Sequence, residues 1–303
     1  MSTLTFNTKF KPNHGSVTEL EDGIYRITAN NRGPMTFEGT NTYLIGKENM
    51  AIIDPGPVDS DHLKVILNAL EGRPLSHIFV SHTHKDHSPL AKELQSLTGA
   101  TIYAEGPHRA ARSLQAGENN LLTESSDLDF SPDVELSHGQ IIDGGDWQIQ
   151  AVHTPGHTAN HCAFAYLERE TLFSADHVMA WSTSFIGPPD GSMSDYMTSL
   201  KILIDRDDRH ILPGHGPEVI APKDFLLGLH KHRKSREQAI LEAIKENGSL
   251  LISEIIGLVY QDLDERLKLA ASLSTLAHLE DLVEQGEIKT NDTVSLKSRY
   301  QRV

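Results

Sequence analysis

The chain has 303 residues, of which 38% are hydrophobic and 23% charged, a composition typical of a folded protein with a sizeable core. Its formal net charge of −15 disfavours binding to a phosphate backbone unless basic residues are segregated on one patch. The single cysteine, Cys162, excludes an internal disulfide framework, and the sequence shows neither an export signal nor a run of roughly 18 apolar residues that could span a membrane. We therefore expect a soluble, cytoplasmic protein with no membrane partner.

The N-terminal third predicts short strands followed by an alternation of strands and helices. Alternating or compact apolar runs predict strands at 23–28, 41–46, 50–54, 76–81 and 100–104. Apolar residues at helical spacing predict a helix over 62–70. A second helix should begin at Ser88 and Pro89, which suit the N-cap and the first helical position.

Residues 147–213 repeat this arrangement. The same patterns predict a helix within 196–204 and strands at 147–152, 161–166, 171–174 and 210–213. The two stretches therefore resemble two halves, each a sheet with helices on its outer face.

After Pro222 the pattern changes to long helical periodicity. It predicts helices over 224–247, 253–263 and 265–285, then a hairpin of strands 287–290 and 293–296 joined by a turn at Asn291 and Asp292. Three helices followed by a hairpin are typical of a winged-helix module. The charge changes at the same point: residues 1–221 hold 15 Lys and Arg against 29 Asp and Glu, whereas residues 222–303 hold 12 against 13. We expect a catalytic domain over 1–221 and a winged-helix-like domain over 222–303.

Four fragments carry candidate metal ligands, and each directly follows a predicted strand, where side chains can converge at one edge of a sheet. They are His-Thr-His-Lys-Asp-His at 82–87, His-Thr-Pro-Gly-His-Thr at 153–158, Ser-Ala-Asp-His at 174–177 and Pro-Gly-His-Gly at 213–216. Imidazole and carboxylate groups suit zinc or iron, and alternate spacing lets His82 and His84 reach one metal while Asp86 and His87 reach a neighbouring one. The chain has 17 histidines, several of them in clusters, which favours a metal site over chance.

These fragments resemble the ligand motifs of the metallo-β-lactamase superfamily, and the resemblance covers about residues 15–220. It implies an α+β fold, namely an αββα four-layer sandwich with the site at one edge. By matching position, it also implies that His82, His84 and His157 bind the first metal and Asp86, His87 and His215 the second, with Asp176 bridging both. The implied cofactor is two Zn²⁺ per chain, with iron or manganese as alternatives.

A centre of this kind activates water. Binding to zinc lowers the pKa of water from 15.7 to about 7, which removes about 12 kcal/mol of ionisation cost. The resulting metal-bridging hydroxide would attack a carbonyl carbon or a phosphorus, with Asp86 as the catalytic residue that orients it. The expected function is dinuclear zinc-dependent hydrolysis of an ester, a thioester or a phosphodiester.

Other polar residues near these motifs are assigned supporting roles. His153 precedes the Thr-Pro-Gly-His turn by a spacing that the family ligands do not use, so we interpret it as structural, and His161 and His177 are similar cases. Asp54 matches a family position that supports the metal loop from behind.

Within the superfamily, the chain resembles the subgroup typified by β-lactamase-like protein 2, a mitochondrial endoribonuclease, and its bacterial relatives. The resemblance depends on residues 39–44, 195–200, 212–217 and 232–238 and on the winged-helix-like tail. The chain departs from the pattern at Ala175, where relatives commonly have glycine, and in the run from His177 to Trp181 that follows. It implies a small ester or thioester, or single-stranded RNA, as the substrate.

The tail shows little sign of nucleic-acid recognition. The third predicted helix carries no lysine or arginine between Lys268 and Lys289, so DNA recognition is disfavoured. The one dense basic run, Lys231–Arg236, fits a solvated helix face and a phosphate-contacting face equally well. We interpret the tail as a packing or homodimerisation element that also shapes the mouth of the site.

Two other functions are compatible with the fold. One is a hydroxyacylglutathione-hydrolase-like thioesterase, although the last ligand of that enzyme lies in a His-Glu-Tyr sequence, whereas this chain has Pro213-Gly-His215-Gly-Pro217. The other is an iron-dependent oxidoreductase, which the full set of seven ligands disfavours because such enzymes of this fold use a mononuclear site or an added flavin domain. A protein that keeps metals only for structure is the least favoured hypothesis.

Overall fold

A computed structural model describes residues 4–115, 117–260, 263–291 and 293–303. The helices are α1 (Ser60–Ala69), α2 (Leu90–Thr98), α3 (Met193–Ile204), α4 (Pro222–Asn247), α5 (Ile252–Val259) and α6 (Lys268–Glu284). The strands are β1 (Val17–Glu21), β2 (Ile24–Thr28), β3 (Asn41–Ile45), β4 (Met50–Ile53), β5 (Leu75–Val80), β6 (Thr101–Ala104), β7 (Val134–Glu135), β8 (Ile141–Asp143), β9 (Gln148–His153), β10 (Cys162–Tyr166), β11 (Thr171–Ala175), β12 (His210–Pro213), β13 (Leu250–Leu251), β14 (Ile288–Lys289) and β15 (Arg299–Arg302).

Two mixed sheets form the N-terminal part of the molecule. The first has the order β1-β2-β3-β4-β5-β6-β7, antiparallel from β1 to β4 and parallel from β4 to β7. The second has the order β12-β11-β10-β9-β8 and is antiparallel except for the parallel pair β11 and β12. A third, small sheet of order β13-β15-β14 lies in the C-terminal region.

Alternating side chains bury both faces of each large sheet. In β3, Tyr43 and Ile45 pack between the two sheets, whereas Leu44 faces the opposite way, into the layer that contains α1 and α2. In β10, Phe164 belongs to the core between the sheets, whereas Ala163 faces the layer that contains α3. Because strand side chains alternate with a period of two, this pattern places one helical layer outside each sheet. The chain therefore forms the expected αββα sandwich.

The sequence located most of these elements. Nine strands, β2–β6 and β9–β12, lie within one residue of their predicted bounds, whereas the short or half-exposed strands β1, β7, β8 and β13 gave no clear apolar pattern. The N-cap role predicted for Ser88 is wrong. Its hydroxyl donates to Asp127 Oδ2 (2.7 Å), so Pro89 occupies the capping position of α2.

The C-terminal region folds as a winged-helix domain around its own core. Helices α4, α5 and α6 supply the three predicted helices, but α5 ends at Val259, four residues before its predicted end, and residues 261–262 lie outside the described residues. The prediction of a second hairpin strand at 293–296 is wrong. The strand β15 is instead formed by the polar run Arg299–Arg302, in which Tyr300 is buried. The predicted turn includes Asp292, which also lies outside the described residues.

Helix α4 belongs to both parts of the molecule. In its N-terminal half, Leu226 and Leu229 pack in the apolar layer on the outer face of the second sheet. In its C-terminal half, Ile240 and Ile244 pack in the core of the C-terminal domain. The domain boundary at residue 222 remains a prediction. None of the helices within the described ranges is both long enough and apolar enough to cross a membrane.

Candidate metal centre

Four turns meet at one edge of the sandwich, and each begins where a strand ends. Residues 82–87 follow β5 of the first sheet, whereas residues 154–158, 176 and 214–216 follow β9, β11 and β12 of the second. Hydrogen bonds between backbones hold these turns in place, from Gly214 N to Ala175 O (2.9 Å) within the second sheet and from Asn41 N of the first sheet to Gly214 O (2.7 Å). The candidate ligands therefore stand on a rigid frame.

Three histidines form the first group of donors. The Nδ1 atom of His84 lies 3.1 Å from Nε2 of His82 and 3.0 Å from Nε2 of His157. All three side chains are buried, and their nitrogens lie within 4.8 Å of one another. Zinc bound tetrahedrally at about 2.1 Å holds its ligand atoms about 3.4 Å apart, so this spacing fits one metal ion.

A second group, Asp86, His87 and His215, lies beside the first. Asp86 Oδ2 lies 3.5 Å from Nε2 of His87 and 3.2 Å from Nε2 of His215. Asp176 lies between the two groups, because its Oδ2 atom is 3.6 Å from Nε2 of His157 and its Oδ1 atom is 3.4 Å from Nε2 of His215. The structure thus brings all seven sequence-predicted ligands together in two adjoining groups with a carboxylate between them.

The unpartnered atoms of this cluster fit a metal. Nε2 of His87, Nε2 of His215 and Oδ1 of Asp176 are buried, and within the described part of the chain they face one another and Asp86 at 3.2–3.5 Å without forming a well-directed hydrogen bond. Buried polar atoms rarely lack a partner, because their desolvation is costly. Two divalent cations would supply that partner for all three atoms.

The electrostatics differ between the two groups. Burial, reinforced by the neighbouring imidazoles, lowers the pKa of His82 well below its ordinary value, and burial lowers the pKa of His84 to about 3. Burial would also lower the pKa of His215, but the carboxylates of Asp176 and Asp86 raise it to about 9. The pKa of His87 is raised in the same way. The first group is thus neutral, and protons held by the second balance its carboxylates until a cation replaces them.

Hydrogen bonds from behind fix the orientation of the imidazoles. Nδ1 of His157 donates to the carbonyl of Phe185 (2.6 Å), and Nδ1 of His215 donates to that of Gly39 (3.2 Å). Asp54 carries out the supporting role expected for it: its carboxylate accepts from the backbone and hydroxyl of Ser81 (both 2.7 Å) and from Nδ1 of His87 (2.9 Å). Such partners fix the tautomer and leave Nε2 free to bind a metal.

Two positions beside the centre, 214 and 175, favour small residues. A Cβ atom on Gly214 would lie 2.6 Å from Oδ1 of Asp176 and 2.8 Å from Cε1 of His87, so only glycine fits there. Ala175, the position at which the chain departs from its relatives, has a φ of +43°. Glycine adopts this left-handed conformation more easily than alanine does, which explains why glycine is common at this position.

The other histidines belong to neither donor group, although the ring of His161 lies 5.1 Å from that of His82. Nε2 of His153 bonds to the carbonyl of Leu136 (2.8 Å), and Nδ1 of His161 bonds to the hydroxyl of Thr154 (2.8 Å), so both contact structural partners. The ring of His177 packs against that of Tyr196, with 4.5 Å between ring centroids. These contacts agree with the structural roles assigned to them.

The centre opens into a cavity of about 890 Å³ between the sandwich and the C-terminal domain. Met35, Met179, Trp181 and Phe185 line it on the sandwich side. The other side is lined by residues 232, 233 and 236 of α4, by Tyr260 and by residues within 263–274, and we call these residues the helical wall. The C-terminal domain thus shapes the mouth of the site.

Sequence reasoning missed the most unusual member of this wall. Helical periodicity divides the basic run, so that Lys231 and Lys234 are exposed whereas Arg233 is only 5% exposed. The basic run 231–236 is therefore neither a fully solvated face nor a fully phosphate-contacting face, because its side chains point in different directions. Phe37 and Trp181, whose rings stack 4.8 Å apart beside the cavity, were also missed, because their contact joins segments distant in sequence.

Comparison with known proteins agrees with this architecture. A model of the metallo-beta-lactamase superfamily matches residues 35–215, and a model of the beta-lactamase associated winged helix domain matches residues 252–296. A beta-lactamase-like protein 2 homolog of Drosophila melanogaster is 30% identical over 284 residues, covering 91% of this chain and 93% of that protein. An atrochrysone carboxyl ACP thioesterase of Cryptosporiopsis sp. is 25% identical over 302 residues, covering 94% and 87%. A solved beta-lactamase domain protein from Burkholderia ambifaria shares the fold with a TM-score of 0.80 at 21% identity, over 97% of this chain and 96% of that one.

Proposed function

The chain belongs to the metallo-β-lactamase superfamily and is a hydrolase, and from this premise we propose that it is a dinuclear zinc-dependent esterase or thioesterase. The observation that carries the proposal is the pair of adjoining donor groups, whose seven side chains converge on one cavity with buried, unpartnered atoms. We assign His82, His84 and His157 to the first metal, Asp86, His87 and His215 to the second, and Asp176 to both.

The residues of the centre divide the chemistry among them. Two bound cations would supply a water of lowered pKa and would polarise the oxygen of the scissile group. The five histidines hold neutral Nε2 or Nδ1 atoms toward the cations, and Asp176 supplies negative charge between them. The backbone and side-chain partners behind the imidazoles keep these atoms aimed without reorganisation during the reaction.

Asp86 is assigned the proton-handling role because its surroundings differ from those of the other ligands. Its side chain is 24% exposed and lines the cavity, whereas the side chain of Asp176 is 9% exposed and that of His215 is 1% exposed. A carboxylate that is open to the substrate side can accept a hydrogen bond from the attacking water and orient it. Asp176 also lines the cavity but is less exposed, and His82, His87 and His215 are not among its lining residues.

The cavity supports a small substrate. Its volume of about 890 Å³ lies within the range of roughly 300–1,000 Å³ typical of small-molecule sites. One relative is named an atrochrysone carboxyl ACP thioesterase, which supports ester and thioester chemistry over phosphodiester cleavage. Single-stranded RNA as substrate, a homodimer and a cytoplasmic location remain predictions.

Metal analysis of protein purified without added metal tests this proposal. We expect about two zinc ions per chain and hydrolysis of a generic thioester probe that stops after chelation and returns with zinc. The same protein passed through the chelation procedure and supplied with magnesium is the control. A single iron per chain, or turnover that survives complete removal of metal, would contradict the proposal and favour oxidoreductase or metal-independent chemistry.

A further inference from the structure

The charge of the cavity contrasts with that of the whole chain. Although the net charge is −15, Asp86 and Asp176 are the only acidic residues among those the structure describes that line the cavity, and both are already assigned to the metals. Among the described residues, the other charged groups at its surface are the cations Lys85, Arg233, Arg236 and Arg266, of which Arg266 is paired with Asp264 (2.7 Å). The surface around the metal centre therefore favours a substrate that carries negative charge.

Arg233 is the cation whose surroundings require an explanation. Its side chain is buried, its guanidinium lies 5.0 Å from the ring centroid of Tyr196, and its Nη2 donates to the carbonyl of Ser184. Within the described ranges, Nε has no hydrogen-bond partner and no carboxylate lies within 4.0 Å of the guanidinium. An arginine that is buried without a counter-ion is costly and is rarely kept unless an anion completes the site.

Other buried donors line the same cavity and also lack a partner among the described residues. They are the hydroxyl of Ser184, the indole Nε1 of Trp181 and a ring nitrogen of His232. Ser184 joins this group to the metal centre, because Arg233 binds the carbonyl of Ser184 while His157 binds the carbonyl of the next residue, Phe185. Arg233 and Ser184 are therefore close to the first metal group.

We propose that Arg233, together with the unpartnered donors that line the same cavity, forms an anion subsite for a carboxylate or phosphate group that the substrate carries near its scissile bond. The inference rests on the proposed function, since it names the substrate class of that site. The substrate is then a small acyl ester or thioester with one anionic oxygen group close to the reacting carbonyl. Its remaining apolar part packs against side chains such as Met35, Met179 and Leu273.

Matched thioester probes test the subsite. The succinyl thioester of N-acetylcysteamine carries a carboxylate, the 4-oxopentanoyl thioester is neutral and of similar length, and the 3-phosphonopropionyl thioester carries a phosphonate. A charge-assisted hydrogen bond is worth about 10- to 100-fold, so we expect kcat/KM to favour the better of the two charged probes over the neutral one by that factor. The relative rates of the two charged probes distinguish carboxylate from phosphate. Equal rates on all three probes would overturn the proposal.

Variants assign the preference to Arg233. In Arg233→Gln we expect kcat/KM to fall at least tenfold more for the charged probe than for the neutral probe, mainly through KM, and Arg233→Lys should restore part of the difference. Arg209→Gln changes an arginine that is 69% exposed and lies just before β12, at the end of the strand away from the metal centre. This variant should keep the full preference. A preference that survives Arg233→Gln would show that the metals alone select the anion and would refute the subsite.

Binding of inert analogues separates this inference from the proposed function. Thioether analogues of the charged and neutral probes cannot be hydrolysed, so calorimetry on the wild-type protein measures recognition without turnover and without a variant that could fail to fold. Tighter binding of a charged analogue, by about tenfold or more, supports the subsite even if no probe is turned over, in which case only the proposed function fails. Equal binding of the analogues overturns the subsite whether or not the probes are hydrolysed.

Discussion

The candidate metal centre and the helical wall line the same cavity but are built in different ways. The centre consists of side chains on turns between paired strands, and most of its imidazoles are held by hydrogen bonds to the backbone or to Asp54. The wall consists of side chains on α4, α6 and the segment that precedes α6, most of them apolar. From this difference we infer that the sandwich fixes the geometry of the reaction, whereas the selection of the substrate depends on how the C-terminal domain packs against the sandwich.

The largest expected effect concerns the candidate metal centre, the region to which we assign the chemistry. Asp86→Ala should lower kcat at least about 100-fold for every ester or thioester probe, because a positioned carboxylate that handles the attacking water is lost. Steady-state kinetics measure the effect, and circular dichroism should show an unchanged fold. Asp129→Ala, which removes an exposed carboxylate, is the control. A loss confined to some substrates would break the division between chemistry and selection.

A smaller effect is expected from Asp54, which accepts hydrogen bonds from Ser81 and His87 behind the metal centre. Asp54→Ala leaves two donors on Ser81 and one on His87 without their acceptor, so we expect the free energy of unfolding to fall by about 3 kcal/mol. Zinc affinity should fall about 10- to 100-fold, as expected when the group orienting a ligand is removed. Urea unfolding and competition with a chelating dye measure the two effects. Asp54→Asn, which keeps the shape and one acceptor, should lie between wild type and Asp54→Ala, and unchanged zinc affinity would contradict the supporting role.

The C-terminal domain should respond to acid through one residue of α6. Burial lowers the pKa of His278 to about 3, so the unfolded state takes up a proton before the folded state does. The stability that neutral His278 contributes is therefore complete above about pH 6.5 and is lost as pH falls, by about 2 kcal/mol between pH 6.5 and 5. His278→Leu should flatten this part of the dependence, measured by urea unfolding of metal-free protein. His230→Leu, at a less buried ring on α4, should flatten it less, and an unchanged slope in His278→Leu would contradict the assignment.

The smallest effect concerns an ion pair between the two parts of the molecule. Arg112, on the segment after β6, pairs with Glu118 (2.7 Å) and with Glu280 of α6 (2.6 Å). Because its side chain is a quarter exposed, we expect Arg112→Ala to lower the free energy of unfolding by about 1 kcal/mol. A double-mutant cycle with Glu280→Ala isolates the contact across the domains. Arg266→Ala removes only the local pair with Asp264 and should cost less, so equal effects would show that docking does not depend on Arg112.

How far the sequence predicts each region follows from how local its determinants are. The centre was predicted residue by residue, because short motifs such as 82–87 place several ligand types at fixed spacing directly after a strand. Most strands of the sandwich were predicted for a similar reason, since β4 and β5 are compact apolar runs. The structure brings these predicted ligands together, and their metals remain a proposal.

The wall could not be predicted in the same way. Whether Arg233 is buried depends on the surface against which α4 packs, and that surface includes Tyr196 and Ser184, which lie far away in the sequence. The strand β15 was missed because Arg-Tyr-Gln-Arg has one apolar side chain, whereas Thr293–Leu296 alternates without forming a strand. In both cases the determining contact joins residues that are far apart in the sequence, so a local pattern does not predict it.

Helix α4 has a consequence for how the molecule unfolds. It is a single rod of 26 residues, about 39 Å long, with one end buried in the sandwich and the other in the C-terminal domain. Loosening either core frays a helix that the other core needs, so the two domains share one cooperative transition rather than melting in sequence. Metal ions bound at the centre should therefore protect backbone amides of the distant C-terminal helices from hydrogen exchange, although no residue of those helices is among their proposed ligands.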